Sequence, residues 1–184
     1  MELPKRALFV ITGIMAAGKS TVAQHLAERF HRSVHLRGDV FRRMIVRGQA
    51  TMGFVLSPEA EAQLELRYRI AASVAHQYLD ANYTVVYQDI IIGPSLVEVL
   101  RGLHHKDVPV FVVVLCPQPD VVAEREQHRA KTGYGTLSVT DFDRALRDET
   151  PRLGLWLDST SLSVDQTVDQ ILEHLDLARV HPEQ

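Results

Sequence analysis

Residues 13–20, Gly13-Ile14-Met15-Ala16-Ala17-Gly18-Lys19-Ser20, set two glycines five positions apart and follow the second with a lysine and a hydroxyl side chain. Residue types at this spacing bind phosphate. Gly13 and Gly18, with the small Ala16 and Ala17, let the backbone curl until its N–H groups converge on an oxyanion, and a helix starting at Lys19 adds the positive end of its dipole. Lys19 then reaches the β and γ phosphates of a nucleoside triphosphate, while Ser20, with Thr21 beside it, presents a hydroxyl suited to Mg²⁺. A plain turn carrying a solvated lysine would have to reproduce both the spacing and the flanking strand and helix by accident.

Two carboxylates follow apolar segments. Asp39, in His35-Leu36-Arg37-Gly38-Asp39-Val40-Phe41-Arg42-Arg43, is placed to accept a hydrogen bond and finally a proton from an acceptor hydroxyl, or to cap a helix. Asp89 follows Thr84-Val85-Val86-Tyr87-Gln88 and suits the Mg²⁺ shell through water, acceptor activation or substrate hydrogen bonding, with Gln88 as an orienting neighbour and helix capping as the alternative. The choice of base between Asp39 and Asp89 stays open. Arg42 or Arg43 is expected to hold an anionic substrate group, the remaining arginines solvating the helix. Arg125 and Arg129, four apart on a helix, are expected to cover phosphates from a closing element near 125–138, with surface ion pairing as the alternative.

These residues need a scaffold that delivers them to one edge. Continuous apolar runs at 7–12 and 110–115, and shorter ones at 34–36, 84–88 and 154–157, alternate with helix-periodic stretches. That alternation predicts an α/β domain with a parallel sheet covered on both faces, whose ligands bind beyond the carboxyl ends of the strands. Ser57-Pro58 opens the longest helix, with Leu64, Tyr68, Ala71, Ala75 and Leu79 as an inward packing stripe. Thr140 and Asp143 have capping-box spacing, Ser163 and Gln166 open the last helix, and the residues around Pro182 read as a tail.

The 184 residues, 46% hydrophobic and 23% charged, with a net charge of −3, describe one globular domain over 1–184 and no dedicated nucleic-acid binder. A local basic site remains compatible with that charge. One cysteine, Cys116, excludes an internal disulfide and a thiolate metal cluster, and reads as core. The histidines show no metal spacing, and Trp156 reads as packing. The apolar run at 7–12 is too short for a signal or membrane segment, so a cytoplasmic monomer or homodimer without membrane contact is expected. A GTPase would need a guanine-reading Asn-Lys-x-Asp segment, which the chain lacks, and remodelling ATPases need further domains; a small kinase is the economical reading.

Gly13 to Ser20, Gly38-Asp39 and Arg125 to Arg129 together resemble the small P-loop kinases and phosphotransferases, the group with chloramphenicol phosphotransferase, adenylylsulfate kinase and gluconate kinase. The resemblance implies a three-layer P-loop fold of nucleoside-kinase type with about five parallel strands, ATP and Mg²⁺ as cofactors, a basic lid, and Asp39 as the acceptor-activating carboxylate. It implies transfer of the γ-phosphoryl group to a hydroxyl of a small molecule, a metabolite or an antibiotic. Two alternatives are a nucleoside, nucleotide or polynucleotide 5′-hydroxyl kinase, for which a nucleic-acid end would be the partner, and an ATP-dependent binding switch with no transfer.

Overall fold

The computed structural model describes residues 3–53, 55–128 and 138–181. Arg129 and most of the expected closing element near 125–138 lie outside the described residues.

Five parallel strands form the centre. β1 (Leu8–Thr12), β2 (Ser33–Arg37), β3 (Thr84–Gln88), β4 (Val110–Leu115) and β5 (Leu155–Leu157) lie in the order β2-β3-β1-β4-β5. Every residue of β1, β3 and β4 is buried, which is why these strands read as unbroken apolar runs. Phe9 of β1 stacks on Phe111 of β4 at 4.8 Å and meets Phe30 at 5.4 Å, tying the sheet to the chain that leaves α1 (Lys19–Glu28).

The chain runs outward from β1 to β2, returns to β3, and then crosses to β4 on the far side of β1. Beside β1 the winding therefore reverses, and a crevice opens at the carboxyl ends of β1 and β3. Around it stand α2 (Gly38–Arg43), α3 (Pro58–Asp80) and, further along, α4 (Ser95–Leu103), α5 (Pro119–Gln127) and α6 (Val139–Glu149). Ser57 caps α3 by accepting from the Ala60 N–H at 3.2 Å, with Pro58 at the first helical position.

At the C-terminal end, α7 (Val164–Glu173) starts with the Ser163–Gln166 capping box; α8 (Leu175–Ala178) follows. Two expectations need correction. α6 begins earlier than Thr140 and is capped by Ser138, which accepts from the Asp141 N–H at 3.4 Å. Asp143 is instead buried on the inner side of that helix, ion-paired to Arg147 at 2.8 Å, so it is not available to close a capping box. The expected tail also contributes structure: β6 (Arg179–Val180) pairs antiparallel with Val110 and Phe111 of β4. Cys116 is buried, and Trp156 packs against the core with the Arg152 guanidinium 3.9 Å over its ring.

Candidate active site

Thr12 ends β1 with a buried hydroxyl that donates to the Ile91 carbonyl at 2.8 Å and accepts from the Ile91 N–H at 2.9 Å. This pair locks the end of β1 to the segment after β3, so the residues following both strands share one wall. The chain then curls through positive φ at Gly13 (146°), Ala16 (61°) and Gly18 (93°). A Cβ on Gly13 would overlap the Leu115 carbonyl oxygen, so the loop packs against β4 only because that position is glycine. Ala16 holds a conformation that alanine rarely adopts; such strain concentrates at binding loops, and alternating backbone signs turn successive N–H groups into an anion-binding concavity.

Lys19 is 8% exposed, and its ammonium donates to the Ile14 carbonyl at 2.7 Å, which holds the side chain across the loop. Ser20 and Thr21 lie exposed on the first turn of α1. The Arg125 guanidinium of α5 stands over the loop, its Nη1 3.8 Å from where a Gly18 Cβ would lie. Ala16, Gly18, Lys19, Ser20, Thr21 and Arg125 line a cleft of about 1170 Å³. Gly13 and Ala17 lie buried behind the loop and shape it from within.

Asp39, Arg42, Arg43, Gln88 and Asp89 line the same cleft. Asp39 sits in the first turn of α2 and forms an ion pair with Arg43 one turn on; Arg37 lies 3.8 Å from its other oxygen. Arg42 lines the cleft and is also tied to the neighbouring segment. Its Nη2 donates to the Ala50 carbonyl at 3.0 Å, and its own carbonyl accepts from Gln49 at 2.8 Å. Gln63 of α3 completes this clasp, accepting from the Ala50 N–H at 2.9 Å and donating to the Gly48 carbonyl at 2.7 Å. The clasp fixes the segment whose Ala50, Thr51 and Met52 form a wall of the cleft. Q63A is expected to speed amide exchange at Ala50 by about tenfold or more, the loss of one or two hydrogen bonds. Unchanged exchange would mean that the segment is held elsewhere.

Asp89 is 4% exposed and its oxygens are heavily engaged. Oδ1 accepts from the Ile90 N–H at 2.8 Å, and Oδ2 accepts from the Tyr87 hydroxyl at 3.1 Å and lies 3.0 Å from Arg67 Nε. Burial pushes the carboxyl above the usual carboxylate range, opposed by Arg67, the Ile90 N–H, the Tyr87 hydroxyl and Lys19. Burial and the Asp89 charge likewise raise the Tyr87 hydroxyl, which keeps it a donor. A Cβ on Gly38 would overlap Asp89 Oδ2, so α2 approaches β3 only through glycine. G38A is expected to cost about 1–3 kcal/mol in urea denaturation, the usual penalty of overpacking; wild-type stability would show that α2 yields without cost.

Arg67, Tyr68 and Tyr87 are missing from the sequence reading of the site. The helical stripe through Leu64, Tyr68 and Ala71 is not only packing, because Leu64, Arg67 and Tyr68 also line the cleft. A signal was present: Arg67 stands three residues after Leu64 and four before Ala71, a charge set within an inward face.

The donor set suits Mg²⁺, an ion that keeps waters and phosphate oxygens and takes few protein ligands. Ser20 offers an exposed hydroxyl, and Asp89, with its oxygens engaged, fits an outer role through water. Among the described residues no group of three or more metal-ligating side chains gathers, as a cage built from protein alone would require.

The profile of the AAA domain family matches residues 8–148. The chain belongs to this family. No curated protein matches it. The AAA domain shares its fold with several solved structures. An adenylylsulfate (APS) kinase from Mycobacterium tuberculosis, solved with AMPPNP and APS, is 18% identical, with 95% of this chain and 99% of that one covered and a TM-score of 0.68. The tunicamycin resistance protein of Deinococcus radiodurans is 19% identical, with 96% and 99% covered and a TM-score of 0.67. A sugar kinase from Janibacter sp. HTCC2649 is 21% identical, with 95% and 96% covered and a TM-score of 0.65. The three-layer P-loop fold of small kinases is therefore the fold of this AAA domain. No helix among its described residues is long and apolar enough to cross a membrane.

Proposed function

We propose that this AAA domain is an ATP-dependent kinase that transfers the γ-phosphoryl group to a hydroxyl of a small molecule, a metabolite or an antibiotic. The observation that carries the reading is that the phosphate loop and Arg125 line the same cleft as Asp39, Gln88 and Asp89. The fold shared with an APS kinase and a sugar kinase supports it.

In this reading Gly13 to Thr21 cradle the triphosphate, and Lys19 and Arg125 face the charge that shifts from the γ group to the leaving ADP. The acceptor hydroxyl donates to Asp39. Its oxygen bonds to the γ phosphorus as the bond from that phosphorus to the β–γ bridging oxygen breaks, and its proton passes to the Asp39 carboxylate and then to water. Asp39 suits this role better than Asp89, whose oxygens are already bound to Tyr87, Ile90 and Arg67. Ser20, and Asp89 through water, would hold Mg²⁺, which would supply positive charge against the charge of the triphosphate. Arg43 and Gln88 orient the acceptor, and Arg42 shapes its wall.

The test is a mass-spectrometric screen of the protein with Mg²⁺ and ATP against hydroxy metabolites, antibiotic alcohols, nucleosides and 5′-hydroxyl oligonucleotides. A small-molecule product heavier by one phosphoryl group, formed with an equal amount of ADP, is the expected outcome. ATP binding without any phosphorylated product would favour a binding switch, and phosphorylated oligonucleotide alone would move the acceptor class to nucleic-acid ends.

A further inference from the structure

We propose that the acceptor carries an anionic group, a carboxylate, phosphate or sulfate, and that the guanidinium of Arg67 holds it. The acceptor class rests on the kinase reading above, whereas the anion site stands on its own geometry. Arg67 rises from the middle of α3 with a side chain only 11% exposed, yet it lines the cleft. Its Nε lies 3.0 Å from Asp89 Oδ2 but is buried without a well-directed hydrogen bond. Its other polar partner is the Tyr68 hydroxyl, whose oxygen accepts from the guanidinium while its hydrogen is donated to the Ile90 carbonyl at 3.0 Å. A guanidinium has five N–H donors in a fixed fork, more than one carboxylate and one phenol oxygen take up, so donors remain for a group bound in the cleft.

Charge around it points the same way. Arg37, Arg42, Arg43 and Arg67 line the cleft against the two carboxylates Asp39 and Asp89. Met52, Leu56 and Leu64 add apolar surface beside them, which lowers the local dielectric and strengthens a pairing made there. A planar fork matches an oxyanion with two parallel hydrogen bonds, a geometry that an ammonium does not reproduce. Position matters as well. Gly38 packs on the same Asp89 oxygen that Arg67 approaches, so Arg67 and Asp39 flank one carboxylate. An anion on Arg67 therefore anchors one end of an acceptor whose hydroxyl is presented towards Asp39.

The test separates the anion site from the kinase reading. Sodium sulfate is titrated calorimetrically into the full chain saturated with Mg²⁺ and a non-hydrolysable ATP analogue, at ionic strength matched with chloride. Saturable binding is expected, weakened about tenfold or more in R67Q, the loss of a charge-assisted pair. R67K, which keeps charge without the fork, is expected to fall between them, and R101Q, on the exposed side of α4, to bind as wild type. Retained affinity for the analogue shows that each variant is folded. The same proteins are then given acceptor pairs that differ only in charge, a hydroxy acid with its amide and a sugar phosphate with the free sugar. Preference for the charged member, lost in R67Q, supports the proposal, and the favoured pair identifies the anion. Absence of saturable sulfate binding, or equal binding by R67Q and wild type, overturns it, as does equal turnover of neutral and charged members. Arg67-dependent sulfate binding with no turnover of any hydroxyl compound would sink the kinase reading and leave the anion site standing.

Discussion

Replacing Lys19 with methionine is expected to lower phosphoryl transfer by about 10²–10³ in kcat, the loss that follows removal of one preorganised donor to developing charge. Lys19 is almost buried and lies across its loop on the Ile14 carbonyl, so its ammonium is already in position before a nucleotide arrives. Such a group need not reorganise as charge moves off the γ phosphorus, and its effect falls on the transition state more than on binding. Methionine keeps the length and the packing of the stem, so the loop's positive-φ path through Gly13, Ala16 and Gly18 is retained. Single-turnover kinetics with ATP analogue affinity measured alongside separate the two effects. Turnover near wild type would remove Lys19 from the mechanism.

Removing only the charge of Asp39 is the second large effect. D39N is expected to lower transfer by about 10²–10⁴, the contribution of a positioned base, with ATP affinity within about twofold of wild type. Asp39 is half-exposed and its partners Arg43 and Arg37 are half-exposed too, so the lost ion pairs cost stability no more than about 1 kcal/mol. A fall in rate cannot then be assigned to unfolding, which urea denaturation of D39N checks directly. Equal acceptor turnover and binding in D39N would move the proton to another group.

Much of this site was legible before the structure because the relevant signals are local. The phosphate loop is contiguous, and β1, β3 and β4 are buried along their whole length, so their sequences are unbroken apolar runs. Asp39 and Asp89 were found because carboxylates just beyond strand ends project into the crevice of a parallel sheet. What escaped the sequence depends on partners far along the chain. Arg67 becomes part of the site only where α3 crosses the end of β3, and Arg42 turns to the Ala50 carbonyl because Gln63 holds the same segment from 13 residues away. β6 has two residues and no periodicity to read; it follows α8, which packs on β4, the strand that β6 pairs with. The cap of α6 was misplaced because Ser138 and Thr140 are both good caps, and burial of Asp143 decided between them.

In the proposed reaction a phosphoryl group passes from ATP to an alcohol within one cleft. The most direct measurement uses ATP labelled with ¹⁸O at the non-bridging γ oxygens, incubated with the protein, Mg²⁺ and the anionic hydroxy compounds, with every phosphorus-containing product weighed by mass spectrometry. The expected result is a phosphate ester that carries all the transferred label, in step with ADP and abolished in K19M. Label appearing only in inorganic phosphate, or ATP bound and left intact, would contradict the account.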